Sequence, residues 1–105
     1  MKKMIPVALV KKILNRFIFK KRLKKTGQLL KLMIEEGEVA QYNLFTKLNC
    51  TYKTAFKLLH TLEYLGLAEI SRTEPSLKRG KDKNFWRLTE EGKEYAPLLA
   101  GVMGS

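Results

Sequence analysis

Apolar side chains recur along this chain mostly at helical spacing. Val7, Val10, Leu14 and Phe17 follow one another at three- and four-residue steps, with Ile13 and Ile18 beside them. That pattern lays one apolar stripe along a helix of about 20 residues, roughly 30 Å long, which Pro6 can open in its first turn. Past Phe19 the stripe gives way to lysines, with Lys21 and Lys24 at the next apolar positions. Thr26 is the expected cap of a second helix, Gly27 to Glu36, with Leu29, Leu30, Met33 and Ile34 on one side and Gly37 as its stop. Glu38-Val39 reads as a short extended link, and Gln41 to Leu48 as a third helix with Leu44, Phe45 and Leu48 inward. Asn49 follows at a turn, where Asn tolerates a left-handed conformation. Thr51 then caps a fourth helix, Tyr52 to Leu65.

Gly66 ends that helix, and the period changes. Ala68, Ile70 and Arg72 alternate with Glu69 and Ser71, as in a strand. Residues 74 to 83, EPSLKRGKDK, form a loop by their Pro, Gly and charge content. Phe85 to Leu88 makes a second strand, with Trp86 and Leu88 on one face, so the pair forms a hairpin. Thr89 caps a last helix lined by Tyr95, Leu98, Leu99, Val102 and Met103, which Pro97 must kink or restart. The expected organisation is a basic amphipathic helical extension over 1–25, a central domain over 26–89, and a C-terminal helix and tail over 90–105.

The stretch EEGEVAQYNLFTKLNCTYKTAFKLLHTLEYLGLAEI, followed after the hairpin by WRLTEEGKEY, resembles small prokaryotic winged-helix transcriptional regulators of the MarR, ArsR and PadR type. The resemblance covers about residues 27 to 96. In that pattern LEYLGLAEI closes the recognition helix into the first wing strand, and RLTEEG closes the wing into the next helix. Ala40 stands where such proteins place a Ser or Thr cap on the third helix, and Asn49 where glycine is common. The implied fold is mainly α with a small β-hairpin wing (α+β): a winged helix-turn-helix with an added basic N-terminal helix and a C-terminal helix. The implied partner is double-stranded DNA, with the N-terminal half of the fourth helix in the major groove.

On that helix Ala55, Leu58, Leu59, Leu62 and Leu65 share one side at 100° per residue and form the core face. Almost opposite run Lys53, Lys57, His60 and Tyr64, with Phe56 at the edge and Tyr52 and Thr54 in the first turn. A polar helix face is commonly only solvated. An exposed Tyr and Phe among lysines after a recognisable turn shifts the reading toward contact, by Tyr52, Lys53, Thr54, Phe56, Lys57 and His60. The face has no Arg, Asn or Gln for the strongest bidentate base contacts, so modest direct readout supplemented by DNA shape and phosphate contacts is expected.

Charge sharpens this picture. The chain carries a net +11, yet Lys2, Lys3, Lys11, Lys12, Arg16, Lys20, Lys21, Arg22, Lys24 and Lys25 all fall before residue 26, with no acid among them. A nearly neutral domain thus bears a strongly cationic extension, which favours a polyanionic partner. Arg72, Lys78, Arg79, Lys81, Lys83 and Arg87 make the hairpin basic, suited to the phosphate backbone or a narrow minor groove. Gln41, Tyr42 and Asn43 stand where side chains and free backbone N–H groups can meet phosphates. The extension has three readings: packing on the domain or on a second copy, lying along DNA, or resting on an anionic membrane surface, the last the least favoured. A homodimer through the N-terminal helix, the C-terminal helix or both is expected.

Catalysis finds no support in the sequence. One His, one Cys and no HxxxH, CxxC or phosphate-cradling glycine loop leave no enzyme, metal or cofactor signature. Glu35, Glu36 and Glu38 read as a solvated cluster. Cys50 has no second cysteine and no activating charge beside it in sequence, which argues against a redox sensor. The longest apolar run, Met4 to Val10, is far short of the ~20 residues a membrane span needs, and a cytoplasmic protein is expected. Winged helices also serve as protein-interaction modules, so an adaptor and a nonspecific DNA-coating protein stand as alternatives.

Overall fold

The structure is a computed structural model that describes the backbone of residues 5–16, 20–75 and 83–103, and the side chains of these except 14–16, 20–22 and 103. Helix α1 (Val7–Arg16) is followed by α2 (Lys20–Glu36), strand β1 (Glu38–Ala40), α3 (Leu44–Leu48), α4 (Tyr52–Tyr64), strands β2 (Ala68–Glu74) and β3 (Lys83–Leu88), and α5 (Glu90–Met103). The strands form one antiparallel sheet in the order β1-β3-β2. Helix, helix, turn, helix and a hairpin completed by a third strand constitute a winged helix-turn-helix, with a helix added at each end.

The core gathers one face from every element. Leu29, Leu30 and Met33 of α2 meet Leu44 and Leu48 of α3, Leu58, Leu59 and Leu62 of α4, Trp86 and Leu88 of β3, and Ala96 and Leu99 of α5. The core face expected on α4 is buried throughout, from Ala55 to Leu65. Gly37 and Gly66 end their helices at φ +78° and +79°, the left-handed region that glycine enters without a Cβ penalty. Gly92 is required for another reason: a Cβ there would lie 2.0 Å from the Leu67 carbonyl oxygen. That close approach lets the Thr89 N–H donate to Leu67 O at 3.0 Å, while Thr89 Oγ1 caps α5 by accepting from Gly92 N.

Several sequence expectations change. Thr26 does not cap a helix; it is buried inside α2, which starts at Lys20 and carries Gly27 in its interior. The expected boundary at residue 25 therefore falls within α2, and residues 17–19, through which the expected long N-terminal helix runs, lie outside the described residues. Tertiary packing accounts for the difference: α2 lies along α5, and that burial outweighs the weak helix preference of Gly27. On α1 the buried residues are Leu9 and Ile13, whereas Val7 is 70% exposed and Val10 39%. The expected stripe is thus rotated toward Leu9, and Leu14, Phe17 and Ile18 lie outside the described side chains. On α5, Ala96 and Leu99 face the core while Leu98 and Val102 stay exposed, and the helix continues through Pro97.

Glu38-Val39-Ala40 is a strand and not a link, with Val39 opposite Trp86. The third helix is shorter than expected: residues 41–43 are a turn, α3 begins at Leu44, and its cap position is Asn43, so Ala40 never had that role. The strand alternation is broken once, by a bulge at Ser71 between the pairs Ile70–Trp86 and Arg72–Phe85.

Candidate nucleic-acid interface

The α3–α4 turn is fixed by three local devices. Asn49 adopts φ 53° and ψ 53°, the left-handed conformation expected of it, and its N–H donates to Thr46 O at 3.3 Å. Thr51 caps α4: its Oγ1 accepts from Thr54 N at 3.2 Å and donates to Thr54 Oγ1 at 2.9 Å. Lys25 reaches across from α2 and donates through Nζ to Leu48 O at 2.6 Å, satisfying a carbonyl that α3 leaves open at its end. By sequence that lysine belongs to the cationic extension, whereas in the structure it positions the turn.

From this anchored start α4 presents a column of rings. The Tyr52 and Phe56 centroids lie 6.5 Å apart with planes inclined by 24°, and those of Phe56 and His60 lie 4.3 Å apart. His60 in turn meets the edge of Trp86 at 5.6 Å, and Phe45 meets Tyr52 edge-on at 6.2 Å. Tyr52 is 42% exposed and Phe56 40%, with Lys53 and Lys57 exposed beside them. Among the described residues neither lysine has an acidic partner within salt-bridge distance. Thr54 and His60 are half-buried, and His60 Nδ1 lies 3.1 Å from Glu63 Oε1.

Gln41 is the residue whose expected role fits the structure least. It is not at a helix start facing phosphates but buried between sheet and α4. Its Oε1 accepts from Trp86 Nε1 at 2.9 Å, and its Nε2 donates to Tyr52 Oη at 3.0 Å. One amide thus ties the core tryptophan to the first exposed ring of α4. Tyr42, by contrast, is exposed, with Lys83 Nζ 5.0 Å from its ring centroid, a cation–π contact on the surface.

The described wing arginines, Arg72 and Arg87, are held within the protein. Arg72 lies 3.8 Å over the Phe85 ring, pairs with Glu38 through Nη2 at 3.1 Å, and also pairs with Glu74. Arg87 Nε donates to Glu69 Oε2 at 2.9 Å. These acids come from β1 and β2, and sequence distance hid the pairs. Lys78, Arg79 and Lys81 lie outside the described residues, so Lys83 is the described wing cation without an acidic partner among the described residues.

Glu38 sits at the centre of this network. Ser71 Oγ donates to its Oε2 at 2.7 Å and Arg72 to its Oε1, and these bonds hold its carboxyl below the ordinary glutamate value, Ser71 contributing first. The same partners push the Arg72 guanidinium upward, Glu38 foremost. A carboxylate whose folded value is depressed adds stability above its unfolded value of 4.5, and that stability is lost as pH falls through the lower folded value. Glu38→Gln is therefore expected to destabilise the protein at pH 7. The gap to wild type should shrink below about pH 4.5, read from urea midpoints at pH 7 and pH 3. An equal gap at both would remove the carboxylate's role.

No protein-family model matches this chain, and no curated protein does. Its structure is similar to the solved structure of AbfR in its disulfide-formed state, with a TM-score of 0.54 at 17% identity. The alignment covers 91% of this chain but 61% of AbfR, so the chain spans about three fifths of that protein. The likeness lies in the fold. Among the described residues no helix is long and apolar enough to cross a membrane.

Proposed function

We propose that the protein binds double-stranded DNA as a transcriptional regulator in the cytoplasm, acting by occupancy and not by catalysis. The observation that carries this reading is the outer face of α4. Two lysines that have no acidic partner among the described residues flank two exposed rings on the helix that follows a fixed turn, in a chain of net charge +11. In this reading the N-terminal half of α4 enters the major groove, and the wing lies on the backbone or in the minor groove. Tyr52 and Phe56 make the groove contacts, and Lys53 and Lys57 reach the phosphates beside them. Tyr42 and Lys83 meet the backbone, together with the basic wing tip.

The functional unit is a homodimer, which Val7 and Val10 of α1 and Leu98 and Val102 of α5 support by exposing apolar side chains on the two terminal helices. Light scattering at micromolar concentration tests this directly: a dimer mass is expected, and a monomer contradicts it. The second reading, a nonspecific DNA-coating protein, draws on Gln41. The side chain best suited to bidentate adenine contact near this face is consumed internally. Competition between a preferred and a random duplex at two salt concentrations separates the two readings. A regulator keeps its preference as salt rises, whereas a coat loses binding to both together.

A further inference from the structure

Several polar atoms of the α4 face are engaged within the protein. Tyr52 Oη accepts from Gln41, Gln41 Oε1 accepts from Trp86, His60 Nδ1 is beside Glu63, and the Thr54 hydroxyl is engaged at the helix cap. Between the exposed Lys53 and Lys57, the apolar surface offered at the centre of the face is that of Phe56 and Tyr52, each about two-fifths exposed. We infer that this surface reads thymine C5-methyl groups in the major groove of duplex DNA, Phe56 being the specificity-determining residue. The inference rests on the duplex-binding reading above.

The physical grounds are selective. The major groove of an A·T pair displays one apolar group, the thymine methyl, whereas G·C displays only donors and acceptors. Pressing Phe56 onto a G·C edge strips water from polar atoms and returns no hydrogen bond; pressing it onto a methyl removes apolar surface from water on both sides. The rings of Tyr52, Phe56 and His60 already pack against one another, at 6.5 and 4.3 Å between centroids. Their faces are therefore partly covered, which favours edge contact with a methyl over stacking on an unpaired base. Lys53 and Lys57 hold the flanking phosphates and make the approach electrostatically favourable.

The test compares an alternating A·T duplex with its counterpart carrying deoxyuridine for every thymine, which deletes the methyls and leaves base pairing and charge intact. Wild-type protein should bind the deoxyuridine duplex more weakly, by about fourfold for each methyl in contact. Phe56→Ala should bring that ratio toward one, and Phe56→Leu, which keeps an apolar contact, should restore part of it. Equal affinity of wild type for the two duplexes overturns the inference and leaves the duplex-binding reading standing. Binding to neither duplex overturns both. Tighter binding to single-stranded oligo(dT) than to the duplex also overturns the inference, since it assigns the rings to base stacking.

Discussion

Trp86→Ala is expected to lower the free energy of unfolding by ~3–5 kcal/mol. The indole is fully buried at the junction of β1, β3 and α4, and its Nε1 donates to Gln41 Oε1. Truncation both opens a large cavity and leaves a buried amide oxygen without its donor, which adds to the cost. For a domain whose total stability is on the order of 5–15 kcal/mol, the loss is severe. Trp86→Phe keeps most of the volume and gives up the N–H, so a smaller cost of about 1–3 kcal/mol is expected. Urea unfolding followed by far-UV circular dichroism ranks the three proteins. Wild-type stability in the Ala variant would contradict the packing described. The effect reaches function through Gln41, which connects Trp86 to Tyr52.

Lys53→Ala combined with Lys57→Ala is expected to weaken duplex binding by at least about tenfold per lysine at low salt, each loss being that of a charge-assisted contact. The slope of log affinity against log salt should become shallower by about two, one unit per lysine. Arg72→Ala and Arg87→Ala should move that slope far less. Their guanidinium groups already face Glu38, Glu74 and Glu69, and the acids lose their partners when the arginines go. Fluorescence anisotropy of a labelled duplex across a salt series reads all of these. An arginine effect equal to that of the lysines would place the wing strands, and not α4, at the centre of the footprint.

The sequence carried the parts of this fold that depend on local rules. The Thr51 cap, the left-handed Asn49, the Gly37 and Gly66 stops and the core face of α4 follow from propensity and helical period, and each stands where those rules put it. What it hid depends on distant partners. Glu38-Val39-Ala40 is too short to show a period, and it becomes a strand only because β3 returns beside it. Thr26-Gly27 carries a local stop-and-start signal that packing of α2 on α5 overrides. For the candidate interface, the exposed positions Tyr52, Lys53, Phe56 and Lys57 were legible from helical phase. The inward commitment of Gln41 was not, since its partners lie 11 and 45 residues away. Basic residues likewise looked equivalent in sequence, whereas Lys25 caps α3 and Arg72 and Arg87 brace the sheet.

The most direct test of the central claim is selection of binding sites from a random pool of duplex DNA by the full chain. An inverted repeat with half-sites about 10 base pairs apart, or a multiple of that, is expected. Thymines should be enriched where α4 enters the groove. Recovery of no motif, or of half-sites dominated by invariant G·C positions beneath α4, would contradict it.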